Sequence, residues 1–252
     1  MMRILLAIAA LAMGLGVAQA DGPHEGPRPF TWSGLYLGAH AGYGWGDFGV
    51  DLSTSSGAVH YNDPFKHPQQ SLEGGDGWVG GFQIGANKQF GMVVVGIEAD
   101  VSWTGMEADG RFTTKAPHFT TWDVKTELDM FGTVRGRLGV TNGPLLMYVT
   151  GGMAWGITDT SQATNWFAPA PPDVGGRTSG RTNHIGWTAG AGVEWMFAPN
   201  WTFRTEYLYI SLGEENYALS GTTKPNGTTP YVETFAADLD FHVVRGAVNY
   251  KF

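Results

Sequence analysis

Glu98 and Asp100 stand two positions apart, the spacing that puts two carboxylates on one face of an extended strand. Such a pair could serve as the acid and the base or nucleophile of glycoside hydrolysis. Arg135, Arg137, Glu194, Arg204, Glu206 and Arg245 share that face of the chain by parity and make a set of four acids and four arginines. Carboxylates among that many guanidinium groups are more simply read as ion-pair partners. Gly44, Gly46 and Gly49 match a dinucleotide-loop pattern by letter, but no helix follows them. The seven His (24, 40, 60, 67, 118, 184, 242) have no metal-ligand spacing; His60 and His67 share one connection and suggest metal or haem only weakly. Ser179 and His184 lack the partner motif of a lipid hydrolase or acyltransferase, and Asn226-Gly227-Thr228 is a chance glycosylation match. No catalytic residue, metal or cofactor is expected.

Composition narrows the field further. The 252 residues contain 38 Gly, 10 Trp, 9 Tyr, 14 Phe and no Cys, so no disulfide or cysteine-ligated metal can form. Charged residues make up 15% against roughly 25% in soluble domains. The net charge of −8 without a Lys/Arg cluster argues against a nucleic-acid partner. Mean hydropathy is only −0.13, and past residue 20 no stretch approaches the roughly 18 apolar residues of a membrane helix. Residues 1–20 read as a signal peptide: Arg3, an apolar run from Ile4 to Val17, then Ala18-Gln19-Ala20 with cleavage after Ala20. Losing Arg3 moves the net charge from −8 to −9. Residues 21–30 form a Pro- and Gly-rich lead-in, leaving 31–252 as the folded domain.

Eight segments of the domain alternate with period two, near 35–50, 77–90, 92–106, 124–141, 145–159, 184–198, 201–217 and 238–252. Connections alternate too: tight turns at Gly91, Asn142-Gly143-Pro144 and Pro199-Asn200, and long ones at 51–76, 107–123, 160–183 and 218–237. This is an all-β, eight-stranded antiparallel up-and-down meander. In one strand Val93, Val95, Ile97, Ala99, Val101 and Trp103 share a face, and Glu98, Asp100, Ser102 and Thr104 the other.

Two closed barrels fit such strands, one with the apolar face inside and one with it towards lipid. Aromatic placement separates them. Trp45, Trp78, Trp103, Trp155 and Trp187 fall near the long-loop end. Phe90, Trp195, Phe197, Trp201, Phe203, Tyr250 and Phe252 fall near the short-turn end. Two aromatic belts flanking an aliphatic band are the mark of a membrane-spanning barrel. The eight charges then face a lumen just wide enough for side chains, where they are expected to form a neutral salt-bridge plug.

The segments FTWSGLYLGAHAGYGWG (30–46), GWVGGFQIGANKQF (77–90), FGTVRGRLGV (131–140), GWTAGAGVEWMF (186–197) and FHVVRGAVNYKF (241–252) resemble the outer-membrane surface-antigen β-barrels of alphaproteobacteria, relatives of opacity-type adhesins. That resemblance implies outer-membrane location, short periplasmic turns and long extracellular loops. It also implies that Phe252 belongs to the signal read by the β-barrel assembly machinery. Such families act in envelope stability, surface antigenicity or adhesion, with a narrow porin as the alternative and a lipid-modifying enzyme as a minor one. Expected partners are outer-membrane lipids, lipopolysaccharide and host or phage ligands. Within the long loops Trp166 and Phe167 are the expected contact for a partner.

Overall fold

A strand with one face in hydrocarbon has no water for its backbone, so each N–H and C=O must pair with a neighbouring strand and the sheet must close. The computed structural model describes residues 30–56, 70–113, 119–167, 174–223 and 229–252. The signal peptide and the lead-in up to residue 29 lie outside the described residues, as do His60, His67 and Asn226-Gly227-Thr228. The strands are β1 (Gly34–Ser56), the two-residue β2 (Gln70–Ser71), β3 (Glu73–Phe90), β4 (Val93–Thr113), β5 (Phe119–Asn142), β6 (Leu145–Phe167), β7 (Val174–Ala198), β8 (Trp201–Thr223) and β9 (Thr229–Lys251). Every adjacent pairing is antiparallel, and β9 returns to β1, from Tyr36↔Lys251 up to Ser56↔Val232, closing the eight long strands into a ring. At the lower turns Gly91 and Gly143 adopt φ near +60°, the left-handed region that favours glycine.

The strands run further upward than their alternation foretells. β5 and β6 have 24 and 23 residues, whereas about 9–11 cross a bilayer. Trp166 pairs with Thr120 and Val174, and Phe167 with Phe119, so both are strand residues rather than a loop tip. Above a membrane the outer face of a strand meets water in place of lipid, so the period-two signal fades while the hydrogen-bond ladder continues. The change of environment coincides with register shifts at Gly74/Asp76, Trp103/Met106, Leu128/Met130 and Ser211/Glu214. Bulges are common at barrel rims because they bend and re-aim a strand.

Burial settles which way the faces point. Ile97, Val149, Met153 and Ile185 are more than half exposed on the outer wall, while Arg135, Arg204 and Arg245 are almost wholly buried inside. An apolar outer surface of this extent suits lipid and not water. Glycines in the wall accommodate larger neighbours on both sides. Inside, a Cβ on Gly85 would collide with the Tyr36 ring; outside, one on Gly132 would collide with the Trp155 indole.

Candidate functional site

The charged layer is built by register. Glu98 stands opposite Arg135, Glu194 opposite Arg204, and Glu206 opposite Arg245, each pair on adjacent strands with side chains inward. Arg135 donates from Nη2 to Glu98 Oε1 at 2.5 Å and to Asp100 Oδ2 at 2.9 Å, and from Nη1 to Glu206 Oε1 at 3.1 Å. Arg204 crosses the lumen to Glu98 with Nη1 and Nη2 at 2.5 and 2.9 Å. Arg245 donates to Glu206 Oε2 at 2.6 Å and to Asp100 Oδ2 at 3.2 Å. Arg137 reaches Glu194 Oε2 at 2.6 Å. All eight residues thus lie in one buried layer, in which Glu98, Asp100, Glu206 and three of the arginines have no exposed side-chain surface.

Neutral groups take up the remaining bonds. Tyr36 donates to Glu98 Oε2 at 2.5 Å, Tyr148 to Glu206 Oε1 at 2.9 Å, and Thr133 to Asp100 Oδ2 at 2.6 Å. The Arg137 guanidinium sits 3.9 Å from the centroid of the Tyr148 ring, at cation–π distance. His40 lies between Gln83 and Ser102, at 2.5 and 2.9 Å. Parity on β1 could have identified Tyr36 and His40, which alternate with Leu35, Leu37 and Ala39. Both oxygens of Glu98 and of Asp100 accept bonds from Arg, Tyr or Thr, so the two carboxylates face no open space in which a glycoside could lie.

Apolar layers flank the charges above and below. Above them Met106, Leu128, Phe131, Leu208, Ile210 and Phe241 converge inside the barrel. Met106, Phe131, Leu208, Ile210 and Phe241 keep the inward parity of the charges on their own strands, and only on β5 does the inward face change parity, from Phe131 to Leu128 across the register shift. Below, Trp32 turns into the lower mouth against Val94, Leu146, Tyr148 and Met196. Its backbone N–H donates to Gln89 Oε1 at 2.8 Å and its indole to the Gly143 carbonyl at 3.2 Å.

The aromatic residues of the two belts face outward. Trp45, Trp78, Trp103 and Trp187 are exposed towards the upper end with Trp155 half-buried, and Phe90, Trp195, Phe197, Trp201, Phe203 and Tyr250 are exposed at the lower end. Trp201 and Tyr250 meet edge-to-face, with ring centroids 5.1 Å apart. Phe252 is 71% exposed, and its N–H donates to the Leu35 carbonyl at 2.9 Å.

Just above the upper belt the outer wall carries ion pairs: Arg181 to Asp129 at 3.0 Å, and Lys125 to Glu107 and Glu127 at 2.9 and 2.6 Å. The hydrogen bonds to Glu127 and Glu107 push the Lys125 ammonium above its ordinary value. Loss of water, then the hydrogen bond and charge of neighbouring Asp159, raise the Asp129 carboxyl. The other motifs separate: Gly44, Gly46 and Gly49 are strand residues of β1, and Ser179 is exposed while His184 points into the barrel.

Comparison with known proteins agrees with this architecture. The family model described as outer membrane protein beta-barrel domain matches residues 7–252. The 31 kDa outer-membrane immunogenic protein of Brucella melitensis is 32% identical over 256 residues, covering 98% of this chain and 95% of the relative. The 25 kDa outer-membrane immunogenic protein of Brucella abortus is 27% identical over 261 residues, covering 98% and 94%. The 22 kDa outer membrane protein of Rhizobium leguminosarum is 29% identical over 197 residues, covering 78% and 72%.

Proposed function

This chain belongs to the outer membrane protein beta-barrel domain family, and from that premise we propose that it is a closed, non-conducting barrel that reinforces the outer membrane and holds its upper rim out as a surface antigen. The location and the antigen-type barrel follow from the family and the named outer-membrane relatives. The observation that carries the closed-barrel reading is the filling of the lumen: Trp32 and Met196 below, eight charges in the middle, and Phe131 and Phe241 above. Buried charges on this scale persist only when paired, and a paired layer between two apolar ones has no path for hydrated ions.

Planar-bilayer recording of refolded residues 21–252 tests this. No stepwise conductance above the lipid background is expected. Stable steps abolished by bulky lumen substitutions would establish the narrow porin instead.

The finer features belong to the same proposal. Export proceeds by cleavage after Ala20, with 31–252 as the barrel domain, and Phe252 presents the assembly machinery with its terminal aromatic. The girdle residues anchor the barrel at the two lipid interfaces. The rim bearing Trp166 and Phe167 meets lipopolysaccharide and host or phage molecules, and no reaction is catalysed. Replacing 168–173 by a glycine–serine linker of equal length keeps enough chain to join the paired ends of β6 and β7, so cell-surface binding should fall while the barrel stays folded. Unchanged binding would remove this rim from consideration.

A further inference from the structure

On the lower half of the outer wall an apolar hollow of about 850 Å³ opens towards lipid. Ala191 on β7 is its floor. Leu138 and Met147, on β5 and β6, rise on one side, and Tyr207 and Val244, on β8 and β9, on the other. The hollow begins level with Ala191, four residues from Trp187 and four from Trp195, and descends past Val193 towards the lower aromatic belt. It therefore lies in the lower half of the lipid-facing wall, beside the periplasmic leaflet.

Small residues continue it upward. Gly151 pairs with Gly136 on one side and Ala189 on the other, all three facing outward. A Cβ on Gly136 or Gly151 would meet only ordinary van der Waals contacts, and neither residue has a positive φ. Nothing inside the chain requires glycine at either position, in contrast to Gly85 or Gly132. The flat wall serves something that approaches from outside.

A second copy of the barrel fits poorly. A two-fold contact sets the same patch of each subunit against the other, and two hollows face to face would leave a void whose lining lacks partner atoms. A flexible hydrocarbon chain fills a concave apolar surface without that penalty. We propose that the hollow is a binding site for one phospholipid of the periplasmic leaflet, with an acyl chain along Ala191 and its headgroup level with Trp195. This site goes beyond the closed-barrel role and is independent of what the rim binds.

Native mass spectrometry of the full mature barrel, released from phosphatidylethanolamine nanodiscs, tests it. One retained phospholipid is expected on the unaltered barrel. Ala191→Trp should fill the hollow and lower retention by about tenfold or more, a loss of 1.4 kcal/mol or greater in binding. Gly151→Val, which has room for its side chain and suits a strand, should fold normally and also weaken retention. Ala39→Trp, on the outer wall of β1 and outside the lining of the hollow, should leave it intact; heat-modifiable gel migration reports folding of each variant. Equal retention in Gly151→Val and the unaltered barrel, an equal loss in Ala39→Trp, or an unaltered barrel that emerges lipid-free or as a dimer would each overturn the proposal.

Discussion

Replacing Arg135 by Ala removes the cation that touches three of the four lumen acids. Glu98 keeps Arg204, and Asp100 and Glu206 keep Arg245, but the layer passes from four cations against four anions to three against four. Breaking one side of a buried ionic set costs about 3–5 kcal/mol, because a charge is left in a low-dielectric interior without its partner. The same principle says that the intact set contributes little relative to a well-packed apolar filling. Pairing Arg135→Met with Glu98→Gln restores the balance of charge while keeping volume, so the double variant should be more stable than Arg135→Met alone, with a coupling of about 0.5–3 kcal/mol. Urea unfolding of the refolded barrel in lipid vesicles, followed by tryptophan fluorescence and gel migration, measures both. The rim substitution Lys125→Ala, at an exposed pair, should leave the midpoint unchanged. An Arg135→Ala midpoint equal to that of the unaltered barrel, or a double variant no better than the single, would refute the reasoning that the layer is held by charge balance.

Trp32→Ala should lower stability by about 3–5 kcal/mol, read as a shift of the urea midpoint, and should raise deuterium exchange in the lower turns that Trp32 contacts. Gly85→Ala forces a Cβ into the Tyr36 ring and should cost about 1–3 kcal/mol in the same titration, whereas Gly136→Ala, with open space, should cost nothing measurable. Asp129 has a raised carboxyl, so the folded barrel binds its proton more tightly than the unfolded chain does. Its contribution is therefore most favourable in acid and is lost as pH rises through the folded value. Asp129→Asn should consequently match the unaltered barrel at low pH and be slightly the more stable at neutral pH, by about 0.5 kcal/mol or less; the opposite ordering in urea midpoints would contradict the assigned cause.

Where lipid lies on one side of a strand and packed charge on the other, the sequence is easy to read. Val93 to Trp103 alternates without a break, and Glu98 and Asp100 were legible as inward residues from that run alone. The upper ends were not legible, since Asp123 to Glu127 and Thr158 to Ser161 carry polar residues and break the apolar alternation of the lower strands. The upper apolar layer was legible by parity at Met106, Leu208 and Phe241, which continue the inward faces of Asp100, Glu206 and Arg245, but not at Leu128, which a register shift on β5 sets off from the parity of Phe131 and Arg135. Tyr148 could be placed inside by parity, but its stacking on Arg137, a diagonal neighbour on the adjacent strand, depends on the register of β5 against β6. No local pattern carries that closeness.

The strand extensions above the membrane have a consequence for how the molecule can vary. From Trp155 to Phe167 the ladder climbs 12 residues, about 40 Å of strand at 3.3 Å each, with its backbone held by hydrogen bonds that do not depend on side-chain identity. Within the bilayer each outward position must be oily and each inward one must fit a filled lumen. In the collar, water in place of lipid relaxes the outer requirement while the ladder preserves shape. Substitutions can therefore accumulate on the outer face of the collar without loosening the barrel, and that surface can be exchanged while its rigid support stays the same.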